Sequence, residues 1–514
     1  QSVGSFGEPG SGERLAARLV TSLVEARQQE QFSALAAQAK EAAQGLQESV
    51  QTLLAEGLTG ADPKKIEVAL KEIPRRRASL SELSDKLASL GSAVNIDPSR
   101  TLQLAQTAHL LEEESWNLTE GPLGLGRSRF GIAVISERIA KWVGRYPNHS
   151  YQAPLIVEPS SEGIELVLGI ARATVSAHVE RIRLIRKAAV LKQSPPDMPG
   201  QLAKLEELAW AELSDEEKRS CPPIILLTDE MFVGRQSMGE FGRLLSSDLP
   251  VKVVILDSKQ IQFDTVEPAL WGVANQTAFT VATSVARTGH LADGIKRLAD
   301  YPGPGLVHIH VPIPEEHGYT PSATLDRART AIEARVHPLL IFDPAGEGFF
   351  GIKFELQGNP DGGSWGGVDV LEWARGERRF QSYFTPVKDD VSTVSLSEYL
   401  SMDAPARQQH SVAVTDSSTG KDLLVHPDLV RYAEHRLQVW ALYRELGGVD
   451  SPFVDRIRAE VQAQIEAEQQ AKFNSMISDY EGRISQIQSD VNGQMMARLR
   501  EKLLNLAGFG QDNA

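Results

Sequence analysis

Apolar runs and polar turns alternate through the middle of the chain, between about residues 123 and 390. Short runs rich in β-branched residues are separated by segments whose apolar residues recur at helical spacing, as in Gly163–Lys192 and Leu291–Ala299. This alternation predicts a doubly wound α/β fold with a parallel sheet. The predicted strands are Phe130–Ile135, Leu155–Val157, Ile224–Leu227, Val251–Leu256, Phe279–Thr283, Leu306–Val311 and Leu339–Phe342.

A helical arm is predicted before this α/β domain. Residues 1–12 are rich in Gly and Ser and are expected to form a flexible linker, whereas residues 13–118 are rich in Ala, Leu, Glu and Gln. Pro63 and Pro74 divide the arm into at least three helices. Two interpretations remain open: the arm binds a partner as a helical hairpin, or it packs against the rest of its own chain.

One long helix is predicted after the α/β domain, which itself spans residues 119–450. Within residues 451–514, apolar residues recur at three- and four-residue steps from Val454 to Leu503 on a polar background. Such a narrow apolar stripe is typical of a coiled-coil seam, and about fifty residues would extend roughly 75 Å. We expect this helix to pair with another long helix, either the amino-terminal arm or one from a second protein.

Composition narrows the possible functions. The chain has 514 residues and a net charge of −15, which argues against general nucleic-acid binding. No apolar run approaches the roughly 20 residues that a membrane span requires. The single cysteine, Cys221, excludes internal disulfides and cysteine-ligated iron–sulfur clusters in this chain, and it is consistent with a cytoplasmic protein. A start at Gln1 rather than Met indicates a processed product or a segment of a longer protein.

Acidic residues end two neighbouring predicted strands. Asp229 closes the run IILLTD, and Asp257 with Ser258 closes the run VKVVILDS. Because ligands of parallel sheets bind beyond the carboxyl ends of the strands, these oxygen donors could hold Mg²⁺ against a phosphate. The alternative is that both acids only cap strand-to-helix turns.

Other candidate sites are weaker. His308 and His310 would share one strand face, with His317 close in sequence, but no third metal ligand has a suitable spacing, which favours packing over metal binding. The Gly-rich run at 359–367 lacks the Gly-Lys-Ser/Thr ending of a phosphate loop and is expected to be a plain loop.

Four stretches, followed in the chain by a fifth and weaker one, resemble a known family. Together they lie within residues 160–402, less than half of the chain. They are SEGIELVLGIA from Ser161, LTDE from Leu227 with VILDSK from Val254, ADGIKRLADYPGPGLVHI from Ala292 with His317-Gly318, VHPLLIFDP from Val336, and SLSEYL from Ser395. They are similar to the thiamine pyrophosphate-binding domain of the pyruvate:ferredoxin and related 2-oxoacid:acceptor oxidoreductases.

The resemblance implies a cofactor and its ligands. Asp229 would bind Mg²⁺, Ser258 stands where the family's Thr binds the metal, and the backbone carbonyl of Gln260 would be a third ligand. The three residues would thereby hold thiamine diphosphate, and no catalytic residue is assigned. Partner subunits would supply the pyrimidine-binding domain and the iron–sulfur clusters, with contacts through the helical arm and the carboxy-terminal helix.

The chain also departs from the family pattern. Thr228 and Glu230 replace the two glycines around the metal-binding aspartate, the following Asn-containing loop is missing, and the cluster-binding cysteines are absent. Two hypotheses follow. The chain is a diverged thiamine diphosphate subunit of a 2-oxoacid:ferredoxin oxidoreductase-like complex, which would oxidatively decarboxylate a 2-oxoacid, or it is a non-catalytic scaffold or assembly subunit derived from that domain.

Overall fold

The computed structural model describes residues 8–57, 97–145, 148–149, 151–160, 162–235, 238–261, 267–387, 391–416, 420–450 and 452–507. The chain divides into two compact units, residues 1–447 and residues 448–514. The first unit contains a large mixed sheet, and the second contains one long helix.

An eight-stranded, mostly parallel sheet organises the first unit. Its strand order is β10-β9-β7-β8-β6-β5-β1-β4. The strands from β4 to β7 in this order are parallel, as the sequence predicts. Strand β9, which pairs antiparallel with both β7 and β10, has the opposite direction, which the sequence did not predict. The strands are β1 Gly131–Val134, β4 Leu155–Val157, β5 Ile224–Asp229, β6 Val251–Asp257, β7 Phe279–Ser284, β8 Gly305–His310, β9 Leu340–Phe342 and β10 Phe354–Glu355, and a hairpin of β2 Gly144–Arg145 and β3 Asn148–His149 lies outside the sheet.

Helices cover both faces of this sheet. One apolar core packs on each face, and side chains from alternate strand positions enter each core. The helices of the first unit are α1 Gly12–Gly57, α2 Pro98–Thr119, α3 Glu137–Val143, α4 Gly163–Gln193, α5 Met198–Glu206, α6 Asp215–Arg219, α7 Glu230–Arg235, α8 Met238–Leu245, α9 Pro268–Asn275, α10 Thr288–Asp300, α11 Pro314–His317, α12 Thr324–Glu333, α13 Phe350–Lys353, α14 Val370–Arg375, α15 Leu396–Ser401, α16 Ala404–Arg407 and α17 Pro427–Leu446.

The central strands form where apolar residues predominate, although Lys252 lies within β6 and His308 within β8. Every residue of β5, β6 and β8 is buried, as expected for parallel strands that are covered on both faces. Their register places Asp229 beside Leu256 and Asp257 beside His310. The polar residues that end these strands therefore lie at one edge of the sheet.

Helix α1 contributes to both cores. Residues from Ala16 to Val24 enter the core on one face, and residues from Phe32 to Leu46 enter the core on the other. Helix α2 packs along α1, where Ser115 donates a hydrogen bond to the carbonyl of Ala36 (3.0 Å). The described part of the helical arm thus packs against its own chain, and the predicted helix breaks at Pro63 and Pro74 lie outside the described residues.

A smaller subdomain completes the first unit. Its four strands are β11 Phe384–Pro386, β12 Thr393–Val394, β13 Ser411–Thr415 and β14 Asp422–Val425, in the order β11-β14-β13-β12. The Gly-rich run near 359–367 is a loop, as predicted, and its carbonyl groups at Pro360 and Ser364 accept hydrogen bonds from the guanidinium of Arg335. Carbonyl groups that surround a cation do not form a phosphate site.

The second unit is dominated by helix α18, Pro452–Leu506, which has 55 residues. The sequence predicts this helix almost to the residue. Its apolar side chains are exposed along its whole length, as are its polar ones. Among the described helices of the chain, none combines the length and the apolar character that crossing a membrane requires.

Candidate functional site

The carboxyl ends of β1, β5, β6 and β8 meet at one edge of the large sheet. Strand β1 lies between β4 and β5, so the chain leaves β1 toward one side of the sheet and leaves β5 toward the other. Such a reversal creates a crevice at the strand ends, which is where α/β proteins of this type usually bind ligands. The candidate functional site therefore lies at this edge.

Arg138 fills the crevice between β1 and β5. It lies in the first turn of α3, which Ser136 caps by accepting a hydrogen bond from the amide of Ile139 (3.1 Å). The guanidinium donates two hydrogen bonds to the carboxylate of Glu230 (2.9 and 3.1 Å) and one to the carbonyl of Leu256 (2.7 Å). Its Nε lies 2.9 Å from Glu13 Oε1 at the start of α1. A buried cation thus joins three segments of the fold.

The predicted Mg²⁺ ligands lie around this guanidinium. Asp229 accepts a short hydrogen bond from Ser136 and lies 3.9 Å from Arg138 Nε. Ser258 donates a hydrogen bond to Glu230 Oε1 (2.5 Å) and accepts one from the side-chain amide of Gln260 (3.4 Å). The structure therefore brings the three predicted residues together, and in this arrangement Arg138 supplies the positive charge that the carboxylates need.

Charge decides whether these residues fit Mg²⁺ and a diphosphate. The guanidinium of Arg138 faces both Asp229 and Ser258. A divalent cation beside these two side chains would lie within a few ångströms of it, and the two positive charges would repel each other strongly because little water is present to screen them. A diphosphate would meet the carboxylates of Glu230 and Glu13. The side chains, as arranged here, do not fit the cofactor.

The ionisation of this network follows from burial. Burial raises the pKa of Glu13 to about 7, although the neighbouring Arg138 opposes the shift. Burial also raises the pKa of Glu230, again against the effect of Arg138. For Arg138, burial acts to lower the pKa, but the charges of Glu230 and Glu13 outweigh it and raise the pKa. Arg138 therefore stays positively charged, and its carboxylate partners depend on it.

A second cluster lies beside the first, at the ends of β6 and β8. Asp257 Oδ2 lies 2.6 Å from Nε2 of His308 and 2.9 Å from Nζ of Lys259. The ring of His337, from the segment that precedes β9, packs edge-on against His308 with 4.6 Å between the ring centres. One potential ligand atom each from Asp257, His308 and His337 lies within 4.8 Å of the others, so this group could hold a metal ion.

These histidines are sealed from solvent. His308, His310 and His337 are fully buried, and burial lowers the pKa of His310 to about 3 and that of His337 well below its ordinary value. Burial opposes the charge of Asp257, but Lys259 and the hydrogen bond with His308 hold its pKa well below the usual range. The rings of His310 and His337 are therefore neutral, and the carboxylate of Asp257 is charged, which is the state that binds metals.

The sequence located only part of this edge. His308 and His310 lie two positions apart in β8 and so share one strand face, as predicted, whereas the ring of His317 faces Glu377 at 3.4 Å. Arg138, Glu13 and His337 were missed because each comes from a segment far along the chain. Of these, Arg138 could have been found from the sequence. It lies three positions after the predicted strand that ends at Ile135, and a residue at that position lies near the edge of the sheet.

No protein-family model matches the sequence, and no curated protein matches it. The resemblance to the thiamine diphosphate domain therefore depends on the motifs quoted above.

Proposed function

We propose that this chain is a scaffold subunit, derived from a thiamine diphosphate-binding domain, that assembles by pairing helix α18 with the same helix of a second copy. The observation that carries the proposal is the exposed apolar stripe of α18. Ile477, Ile484 and Ile487 are 41%, 54% and 61% exposed. Burying such side chains contributes roughly 25 cal/mol per Å² of apolar surface, and an isolated polar helix gains little stability otherwise.

The middle of the stripe has the regular spacing of a coiled coil. From Phe473 to Val491 the apolar residues follow steps of four, three, four, three and four, through Ile477, Tyr480, Ile484 and Ile487. This series reads the same from either end. Two antiparallel copies centred near Gly482 would therefore place stripe against stripe, with Phe473 of each copy opposite Val491 of the other.

Charge favours the antiparallel arrangement. The last turns of α18 are basic, with Arg498, Arg500 and Lys502, whereas the early turns carry acidic residues such as Glu460 and Glu466. Parallel copies would place basic turns beside basic turns, but antiparallel copies place them near the acidic turns of the partner. A second copy thus complements α18 in both apolar spacing and charge.

The sheet edge supports the scaffold hypothesis over the enzyme hypothesis. Arg138 stands among the side chains that would hold Mg²⁺, and Glu230 stands where backbone would approach a diphosphate. The departures at Thr228 and Glu230 are thus part of a packed ionic network. A site that once bound thiamine diphosphate would look like this after losing its cofactor.

Replacing Ile484 by lysine tests the assembly. We expect the wild-type chain to be a dimer by light scattering coupled to size-exclusion chromatography, and Ile484→Lys to be a monomer, because a buried lysine at the seam is left without a partner charge. Gln486→Lys adds the same charge on the opposite face of α18 and should remain dimeric. A wild-type chain that is monomeric at micromolar concentration would refute the proposal.

Cysteine cross-linking tests the direction of the helices. The native Cys221 is buried, so it should not interfere. In antiparallel dimers, a mixture of Phe473→Cys and Val491→Cys chains should form disulfide-linked pairs, and each variant alone should form few. Efficient linking of each variant to itself would instead indicate parallel helices.

Calorimetry tests the loss of the cofactor site. Titrating the full chain with thiamine diphosphate and Mg²⁺ should give no binding heat, because Arg138 and Glu230 occupy the positions that the metal and the diphosphate need. Saturable binding at micromolar concentration would restore the enzyme hypothesis, with Asp229, Ser258 and Gln260 as the first residues to test as ligands.

A further inference from the structure

The buried histidines at the end of β8 have ring nitrogens without partners. Neither nitrogen of His337 has a hydrogen-bond partner, nor has Nε2 of His310, and Nδ1 of His308 has only a carboxylate oxygen of Glu267 at 3.5 Å. All three side chains are fully buried. Buried polar groups in folded proteins almost always have partners, so a group of unpartnered imidazoles points to a ligand that supplies the missing contacts.

The donors in this cluster are those of a transition-metal site. Asp257, His308 and His337 offer one carboxylate oxygen and two imidazole nitrogens within 4.8 Å of one another. In a tetrahedral zinc site the ligand atoms lie roughly 3.3 Å apart, a separation that small side-chain rotations would reach from this arrangement. Neutral imidazole and carboxylate together suit Zn²⁺ and its neighbours better than Mg²⁺ or Ca²⁺, which prefer oxygen ligands alone.

Surrounding groups already orient these ligands. The backbone amide of Lys259 donates a hydrogen bond to Asp257 Oδ1 (2.6 Å), which leaves Oδ2 directed at His308. On the other side of the ring, His308 Nδ1 lies 3.5 Å from Glu267 Oε1, and Arg436 holds Glu267 by a 2.7 Å hydrogen bond. A carboxylate behind a histidine is the usual support for a metal-binding imidazole.

We propose that Asp257, His308 and His337 bind a divalent transition metal, with Zn²⁺ as the preferred ion. The ion would replace the proton that Asp257 Oδ2 and Nε2 of His308 now share across 2.6 Å, the two atoms would move to about 3.3 Å apart, and His337 would turn one of its unpartnered nitrogens toward the ion. His310, whose ring centre is 5.7 Å from that of His337, would offer a further nitrogen. This proposal does not depend on the scaffold function.

Lys259 competes with the metal. Its ammonium lies 2.9 Å from Asp257 Oδ2 and 3.3 Å from Glu267 Oε1, so it now provides the positive charge that the ion would bring. Binding of Zn²⁺ requires this ammonium to move away from Oδ2. Removing the charge of Lys259 and removing a ligand should therefore change metal affinity in opposite directions, which gives the proposal a sharp test.

Zinc titration of three variants tests the site. The full chain is treated with a chelator, and Zn²⁺ alone is then titrated by calorimetry, with bound metal counted by elemental analysis. We expect one zinc per wild-type chain, at least ~10-fold weaker binding by His337→Gln, and at least ~10-fold tighter binding by Lys259→Met. His178→Gln, which removes a buried histidine on α4, is the control and should bind zinc like the wild type.

Two results would overturn the proposal. One is a wild-type chain whose zinc content and affinity equal those of His337→Gln, since the zinc would then bind elsewhere. The other is an unchanged affinity in Lys259→Met, which decides the question even if His337→Gln does not fold. Substitution by Co²⁺ gives an independent readout, because coordination by two imidazoles and a carboxylate produces visible absorption bands that His337→Gln should lose.

Discussion

Replacing Arg138 by methionine is expected to lower the free energy of unfolding of the first unit by about 3–5 kcal/mol. The substitution leaves Glu230 and Glu13 buried without their cation, and it removes the hydrogen bond to the carbonyl of Leu256. Removing one partner of a buried ion pair is costly because the other charge stays away from water. Chemical denaturation followed by circular dichroism measures the loss.

Two further variants show whether burial is the cause. Arg243 pairs with Glu165 at 2.8 Å, but both side chains are more than half exposed, so Arg243→Met should change stability by less than about 0.5 kcal/mol. Combining Arg138→Met with Glu230→Gln should recover part of the lost stability, because the unpaired carboxylate is gone. Equal effects of Arg138→Met and Arg243→Met would show that the crevice network contributes no special stability.

Lys252 should make stability depend on pH in the alkaline range. Lys252 is the second residue of β6, and its side chain is buried at the end of the strand away from the candidate site. Its ammonium donates hydrogen bonds to the carbonyls of Tyr301 (2.7 Å) and Gly303 (2.6 Å). Burial lowers its pKa from 10.5 to about 7. Between these two values the unfolded chain binds a proton that the folded chain does not, so the folded state gains stability as pH rises.

The comparison with Lys252→Met isolates this effect. From about pH 7.5 to pH 9.5, the wild type should gain roughly 2–3 kcal/mol of stability relative to the variant, since each unit of pH contributes about 1.4 kcal/mol within the window. Lys296, which is exposed on α10, provides the control, and Lys296→Met should follow the wild type at every pH. A constant difference between wild type and Lys252→Met would mean that Lys252 keeps its proton when folded.

Much of the architecture could be predicted from the sequence. Strand β4 was predicted at its observed bounds and β6 within one residue, because each is a mainly apolar run between turn signals. The direction of β9 could not be predicted, since three apolar residues are compatible with either direction. The long helix α18 was predictable because its apolar spacing continues over many turns.

The site was less predictable than the fold. Asp229, Ser258 and Gln260 lie together because they follow two adjacent strands, and adjacency of strands can be read from the alternation of elements. Their partner Arg138 comes from α3, about 90 residues before Asp229, and nothing in the local sequence pairs them. His337 likewise reaches Asp257 from beyond α12. Contacts between distant segments depend on how the whole sheet is assembled.

Helix α1 has a consequence for how the chain is made. Its first half and the residues just before it bind segments that follow by about 270 to 315 residues: Gly12 donates to the carbonyl of Pro312 (3.0 Å), Arg27 pairs with Asp300, and Thr324 donates to the carbonyl of Gly10 (2.7 Å). At about 5–20 residues per second, a ribosome needs roughly 15 to 50 seconds to extend the chain from Gly57 to Thr324. During that time the residues of α1 from Ala16 to Val24 lack part of the core that they enter, because that core includes residues from Leu291 to Ile341. We therefore expect chaperones that bind apolar segments to hold this half of α1 during synthesis.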